Sequence, residues 1–217
     1  GALVLDERAQ PRPDPSAIAA AFADAIQREG IAALPWSASA QSIRHRLEFA
    51  HGLDANWPSV SDVTLLDEVD QWLAPHLAGM SKRSDLARIN LGDLLLSRLT
   101  WQQRAALDVL APTHIEVPSG SRIAVDYRDA AAPILAVRLQ EMFGAQSTPT
   151  VGGGRVPVTL HLLSPAHRPV QITRDLAGFW RNSYFDVRKD LRGRYPRHPW
   201  PDDPLTAPPT KRVKPSH

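Results

Sequence analysis

Residues 153–204 read GGRVPVTLHLLSPAHRPVQITRDLAGFWRNSYFDVRKDLRGRYPRHPWPDDP, and the pattern changes twice along them. Val156, Val158, Leu160 and Leu162 alternate with Thr159 and His161, the period-two signature of a strand with one buried face and one wet face. Pro165 turns the chain toward a second strand, Pro169 to Ile172. Thr173 is placed to cap a long amphipathic helix, with Asp175 favourable in its first turn. A proline-aromatic strap, Tyr195-Pro196-Arg197-His198-Pro199-Trp200-Pro201, closes the segment. Strand, turn, strand and helix in this order predict an α+β fold.

At 100° per residue the helix sorts into two stripes. Leu176, Phe179, Trp180, Tyr184, Val187 and Leu191 make the apolar one. Arg174, Arg181, Arg188 and Arg192 make the second, with Phe185 among them. An aromatic ring flanked by guanidinium groups suits base stacking and phosphate contact. The same residues also suit a solvated face, ion-paired to Asp186, Asp190 or the acidic first half of the chain. The strap favours extended geometry. Tyr195 and Trp200 either dock it back onto the domain or offer rings to a partner groove or a single strand.

Outward from this segment, Ile115 and Val117, then Ile123, Val125 and Tyr127, alternate on either side of Pro118-Ser119-Gly120, which reads as a β-hairpin. Pro133 is placed to start a helix in which Leu135, Leu139 and Met142 share a face, ending at Gly144. The first half reads as helical. Asp14 and Pro15 open a helix running to about Glu29, with Ile18, Phe22 and Ile26 inward. Ile43, Leu47 and Ala50 mark a second. Ser61 opens a third, with Val63, Leu66, Val69 and Leu73 on one side until Pro75. Leu91 to Leu99 is leucine-dense, and Thr100-Trp101-Gln102-Gln103 has the spacing of a capping box. The expected organisation is an entry strand at Leu3-Val4-Leu5 with a Pro-rich linker (1–15), a helical unit (16–112), a mixed unit with antiparallel hairpins and the long C-terminal helix (113–205), and a disordered basic tail (206–217) carrying Lys211, Arg212 and Lys214.

Composition narrows the function. The chain has 217 residues, 43% of them hydrophobic, enough for one substantial core or two modest ones. Residues 1–108 hold 10 basic and 14 acidic groups and residues 109–217 hold 15 and 9, so the basic end is C-terminal. With no cysteine there is no disulfide framework, thiolate zinc site or thiol nucleophile, which points to a reducing cytoplasm. No apolar run is long enough to span a bilayer, so no membrane is expected as a partner. The start at Gly1, without Met, is that of a piece of a longer protein.

The residues carry a family resemblance. APTHIEVPSGSRIAVDY at 111–127, PILAVRLQEMFG at 133–144, and RVPVTLHLLSPAHRPVQITRDLAGFWRN with RGRYPRHPWPDDP between 155 and 204 closely resemble the C-terminal region of the bacterial ATP-dependent helicase family HrpB. LPWS at 34–37 and WPSVSDVTLLDEVDQWLAPHLAG at 57–79 resemble the helical region before it. The resemblance implies a parent DExH-type RNA helicase of the bacterial cytoplasm, with two RecA-like lobes upstream that use ATP and Mg. Those lobes would be partners of this region in the same chain. No G-x-x-x-x-G-K-[ST] and no Asp-Glu-x-His occurs here, so no catalytic residue carries over and no cofactor is expected in this segment. Gly152-Gly153-Gly154 lack the following Lys-Ser/Thr and read as a flexible turn.

Other constellations are weak. His114, Ser119 and Asp126 lie near one hairpin but nothing orders them as a triad. His161 and His167 lack further ligands at metal spacing. Two readings remain: an accessory RNA-binding module working through Arg181, Arg188, Arg192 and Phe185, and a protein-docking module that recruits the helicase to a protein partner.

Overall fold

The computed structural model describes residues 14–80 and 82–211, so the expected strand at Leu3-Val4-Leu5 and the cations Arg212 and Lys214 lie outside the described residues. Two compact units result. One contains the described residues of Gly1–Gln41 and Ser59–Arg98, the other those of Ser42–Pro58 and Leu99–His217. This grouping puts residues 42–58 and 99–112 with the sheet, whereas the sequence reading groups them with the helices.

In the first unit α1 (Pro15–Glu29) buries Ile26 and half-buries Phe22. Ser61 caps α3 (Asp62–Asp67), its Oγ accepting from the Thr64 amide at 3.2 Å. The expected continuous third helix is instead two. The backbone departs from helical geometry at Glu68, and α4 (Val69–Trp72) restarts the phase. Val63, read as inward, is 69% exposed, and Leu65 takes the buried position. The register follows from the capping: Val63 lies in the first turn, while Leu65 and Val69 fall one turn apart. Trp72 Nε1 donates to the Leu65 carbonyl at 2.9 Å, tying the two short helices together. α5 (Leu91–Ser97) is capped by Asn90, and its Arg98 pairs with Glu68.

In the second unit the stretch of α2 (Ala38–Leu53) from Ser42 onward supplies buried Leu47, Phe49 and Ala50. The capping box predicted at Thr100 is present on α6 (Trp101–Leu110): Thr100 Oγ1 accepts from the Gln103 amide and Gln103 Oε1 from the Thr100 amide. The C-terminal end of α6 is closed from elsewhere in the unit. Leu110 O accepts from the Gly152 amide at 2.7 Å, and Ala111 O from Arg46 Nε at 2.6 Å.

A mixed sheet follows, in the order β1 (His114–Glu116), β2 (Arg122–Asp126), β3 (Ile134–Arg138), β6 (Thr159–Leu163), β7 (Pro169–Thr173). β3 and β6 run parallel and the other neighbours antiparallel; β4 (Thr150–Val151) and β5 (Val156–Pro157) form a separate pair. The predicted hairpin is β1–β2. The predicted helix at 133–144 is not a helix. It is β3, then a 3₁₀ turn at Leu139–Glu141. Leu135 and Val137 are buried while Ala136 between them is exposed, so the working period is two, and pairing with β6 satisfies the backbone. Leu135, Leu139 and Met142 are all buried, which is why a helical face fits them equally well.

Glu141 was not singled out in the sequence. It is 3% exposed and accepts from Ser119 Oγ at 2.9 Å, Arg138 Nε at 2.8 Å and the Ser121 hydroxyl. The 3₁₀ turn is thereby fastened to the β1–β2 turn.

Candidate nucleic-acid interface

Thr173 does not cap the C-terminal helix; it ends β7. Asp175 is the cap, its Oδ1 accepting from the Gly178 amide at 2.8 Å. The C-terminal helical segment is two helices, α7 (Leu176–Arg181) and α8 (Tyr184–Arg194), broken at Asn182-Ser183. Both residues at the break carry short polar side chains that favour non-helical backbone. The break resets the angular phase, so one helical wheel misplaces part of the Arg stripe.

The apolar stripe is largely inward. Leu176, Phe179, Trp180, Tyr184 and Leu191 are buried and Val187 is half-buried. Trp180 packs edge-on to Tyr184, ring centroids 5.4 Å apart, and donates from Nε1 to the Ala145 carbonyl at 2.8 Å. Tyr184 OH donates to Pro201 O at 2.8 Å, and burial pushes this phenol above its ordinary pKa. Fixing both polar tips on distant carbonyls anchors the helices and the strap to one aromatic cluster.

The strap docks onto its own unit. Trp200 is buried, with Nε1 donating to Tyr195 O at 2.9 Å, so its ring is not offered to a partner. Tyr195 is half-buried. Residues 206–211, expected in a disordered tail, are part of the fold as well: Thr206 Oγ1 donates to Asp203 at 2.9 Å and the Thr210 amide to Gln140 O at 3.1 Å.

The four arginines separate by environment. Arg174 precedes α7, and its Nη2 donates to Pro157 O at 3.3 Å. Arg188 is locked: its side chain is 18% exposed, Nε donates to Trp200 O at 3.0 Å, and Nη2 pairs with Asp202. Arg181 and Arg192 are exposed, and among the described residues no ion pair engages either. Phe185 is 49% exposed, edge-on to Tyr184 at 5.7 Å. Arg181 and Phe185 join Trp180, Asp202, Asp203, Pro204 and Leu205 around a surface cleft of about 380 Å³. Nothing in the sequence joins Phe185 to residues 202–205; the aromatic cluster does so. Hydrogen bonds from the Leu205 amide and Thr206 hold the Asp203 carboxyl below its ordinary pKa. Chemically, the cleft offers an aromatic face, the exposed guanidinium of Arg181 and two carboxylates, one of which, Asp202, is paired with Arg188 beside the cleft.

The remaining candidates do not assemble. His114 Nδ1 lies by Thr113 Oγ1, Ser119 is bonded to Glu141, and Asp126 is paired with Arg128, which keeps its carboxyl below the usual range. His161 pairs across to Ile172 in the sheet, while His167 sits in the β6–β7 turn at φ 59°. The glycine run is an ordered turn with φ of 66°, 66° and 85°. Its first amide is committed to α6, donating to Leu110 O. Among the described residues no helix is long and apolar enough to cross a membrane.

Known proteins share this chain's sequence and fold. The family model for the ATP-dependent helicase C-terminal region, HrpB_C, matches residues 72–204. The ATP-dependent RNA helicase HrpB of Escherichia coli K12 is 42% identical over 216 residues, covering 99% of this chain and 27% of that protein. The crystal structure of the E. coli DExH-box NTPase HrpB superposes with a TM-score of 0.84 at 42% identity, covering 94% of this chain and 26% of that one. A second crystal structure, of the E. coli DEAH/RHA helicase HrpB, gives 0.71 at 40% identity, covering 88% and 25%. This chain spans about a quarter of the length of these relatives.

Proposed function

Since the chain belongs to the HrpB family of ATP-dependent helicase C-terminal regions, we propose that it serves as a non-catalytic accessory region of a bacterial cytoplasmic RNA helicase and binds single-stranded RNA beside the motor. ATP and Mg belong, in this reading, to RecA-like lobes upstream, which are also its partners within the parent chain. The observation that carries it is the half-exposed Phe185 ring and the exposed guanidinium of Arg181, which line one cleft together with Trp180, Pro204 and Leu205. A base stacks on the ring while the cation meets the neighbouring phosphate. Arg192 adds attraction further along α8, whereas Arg174 and Arg188 are already engaged.

Fluorescence anisotropy with a labelled single-stranded RNA tests this. Log K falls linearly with log salt, by about 0.7 per phosphate contacted, and Arg181→Ala flattens the slope. Phe185→Ala costs about 1–3 kcal/mol of binding. Absence of binding at low salt overturns the reading. ATP turnover by this chain alone, stimulated by RNA, overturns its non-catalytic part.

The protein-docking reading draws support from a different place than the strap. Trp101 and Val109, two turns apart on α6, are each 75% exposed. Capture of one stoichiometric protein, lost on Trp101→Ala, favours it.

A further inference from the structure

The ion pair at the edge of the cleft is asymmetric. Arg188 is mostly covered, while the Asp202 side chain that meets it is 93% exposed. Arg188 Nε remains held by Trp200 O, so the guanidinium keeps its aim when the carboxylate leaves. The strap keeps its place too: Pro201 O holds Tyr184 OH, and the Asp203 carboxylate holds the Leu205 amide and the Thr206 hydroxyl. Rotation of the Asp202 side chain, which lines the cleft with Arg181 and Phe185, therefore frees the Nη2 of a held guanidinium beside it. An ion pair with one partner this exposed contributes little to stability, so its exchange for another anion is inexpensive. Carboxylate and phosphate oxygens accept from the same guanidinium donors.

We propose that Asp202 is an internal competitor for phosphate: it occupies Arg188 in the free protein and is displaced when the backbone of a single-stranded RNA enters the Phe185 cleft. This rests on the RNA-binding reading above and adds the residue that sets its strength. In the free state the cleft presents one open cation. With the phosphate seated, Arg188 beside the cleft is engaged as a second cation. Asp202 thereby weakens binding of any anion that cannot reach Arg188 and selects ligands whose phosphate lies next to a base.

The test uses the full chain with a fluorescein-labelled oligouridylate of about ten nucleotides, long enough to fill one single-strand site. Asp202→Asn removes the competitor at an exposed position, and thermal melting checks that the fold is intact. Binding tightens about 3–10-fold at low salt, and its dependence on salt steepens by about 0.7, one more phosphate contact. Asp186→Asn, an equal change of charge on the exposed side of α8, gives a smaller gain. In an Arg188→Gln background the gain from Asp202→Asn disappears. Failure takes distinct forms. Wild-type binding that depends on Arg181 and Phe185 but is unchanged by Asp202→Asn overturns the competitor and leaves the RNA reading standing. A gain that persists with Arg188→Gln, or is matched by Asp186→Asn, shows bulk electrostatics and also overturns it. No binding by either protein at low salt removes the RNA reading and this proposal with it.

Discussion

The amide of Gly152 donates to the carbonyl of Leu110 at 2.7 Å, so the last turn of α6 is closed by the first residue of the glycine run rather than by its own neighbours. Gly152 has φ 66°, and a Cβ there would lie 2.9 Å from Leu53 Cδ1 and 3.4 Å from Phe49 Cζ. Gly152→Ala combines a left-handed backbone cost with overpacking, together about 2–4 kcal/mol. A drop in urea midpoint is expected. Gly153→Ala, at the same φ with open space around it, carries the backbone cost alone.

Arg46 is the second closure of α6. Buried at 6% exposure, it serves Ala111 O and Asp108 with different nitrogens. Arg46→Met keeps most of the volume but orphans the carbonyl, a loss of about 1–3 kcal/mol in equilibrium unfolding. Arg46→Lys gives only partial rescue, because a point ammonium does not reproduce the fork.

At the start of α7 the cap leaves no room for a side chain at position 178. A Cβ on Gly178 would stand 2.2 Å from Asp175 Oδ2. Gly178→Ala displaces the capping carboxylate, and the gain in helix propensity is cancelled by the lost cap, about 1 kcal/mol. Asp175→Ala loses the same cap. The double variant is expected to cost less than the sum of the two, as a double-mutant cycle on thermal unfolding checks.

Acid sensitivity is predicted at Glu141. Burial alone would raise its pKa, but hydrogen bonds from Ser121, Arg138 and Ser119 together outweigh it and the net shift is downward from 4.5. A carboxyl with a depressed folded pKa contributes fully above the unfolded value and loses that contribution as pH falls through the folded one. Stability is therefore expected to decline as pH drops below about 4.5. Ser121→Ala narrows the window by raising the folded pKa, and Glu141→Gln removes this part of the pH dependence. Urea unfolding between pH 3 and 6, as an order-of-magnitude range about the carboxyl titration, reads both.

Much of the site's material was legible and its arrangement was not. The buried rings of α7 and α8 follow from spacing within each helix, since side chains a turn apart share a face whatever surrounds them. The division of the arginines does not follow from spacing. Arg188 and Arg181 occupy equivalent places on one wheel, yet one is held by Trp200 O and Asp202 while the other is exposed. The break at Asn182 changed the phase, and the strap brought its carboxylate to only one of them.

The sequence by itself determined the α+β class, the β1–β2 hairpin, the caps at Ser61 and Thr100, and the family, because these depend on local periodicity, on side chains three residues apart and on motif. Tertiary structure alone decided that 134–138 is a strand, that Glu141 is buried among hydroxyls, and that Asp202 meets Arg188. Each of these rests on a partner distant along the chain, and short segments compatible with two periods take the one whose partner satisfies their backbone and charge.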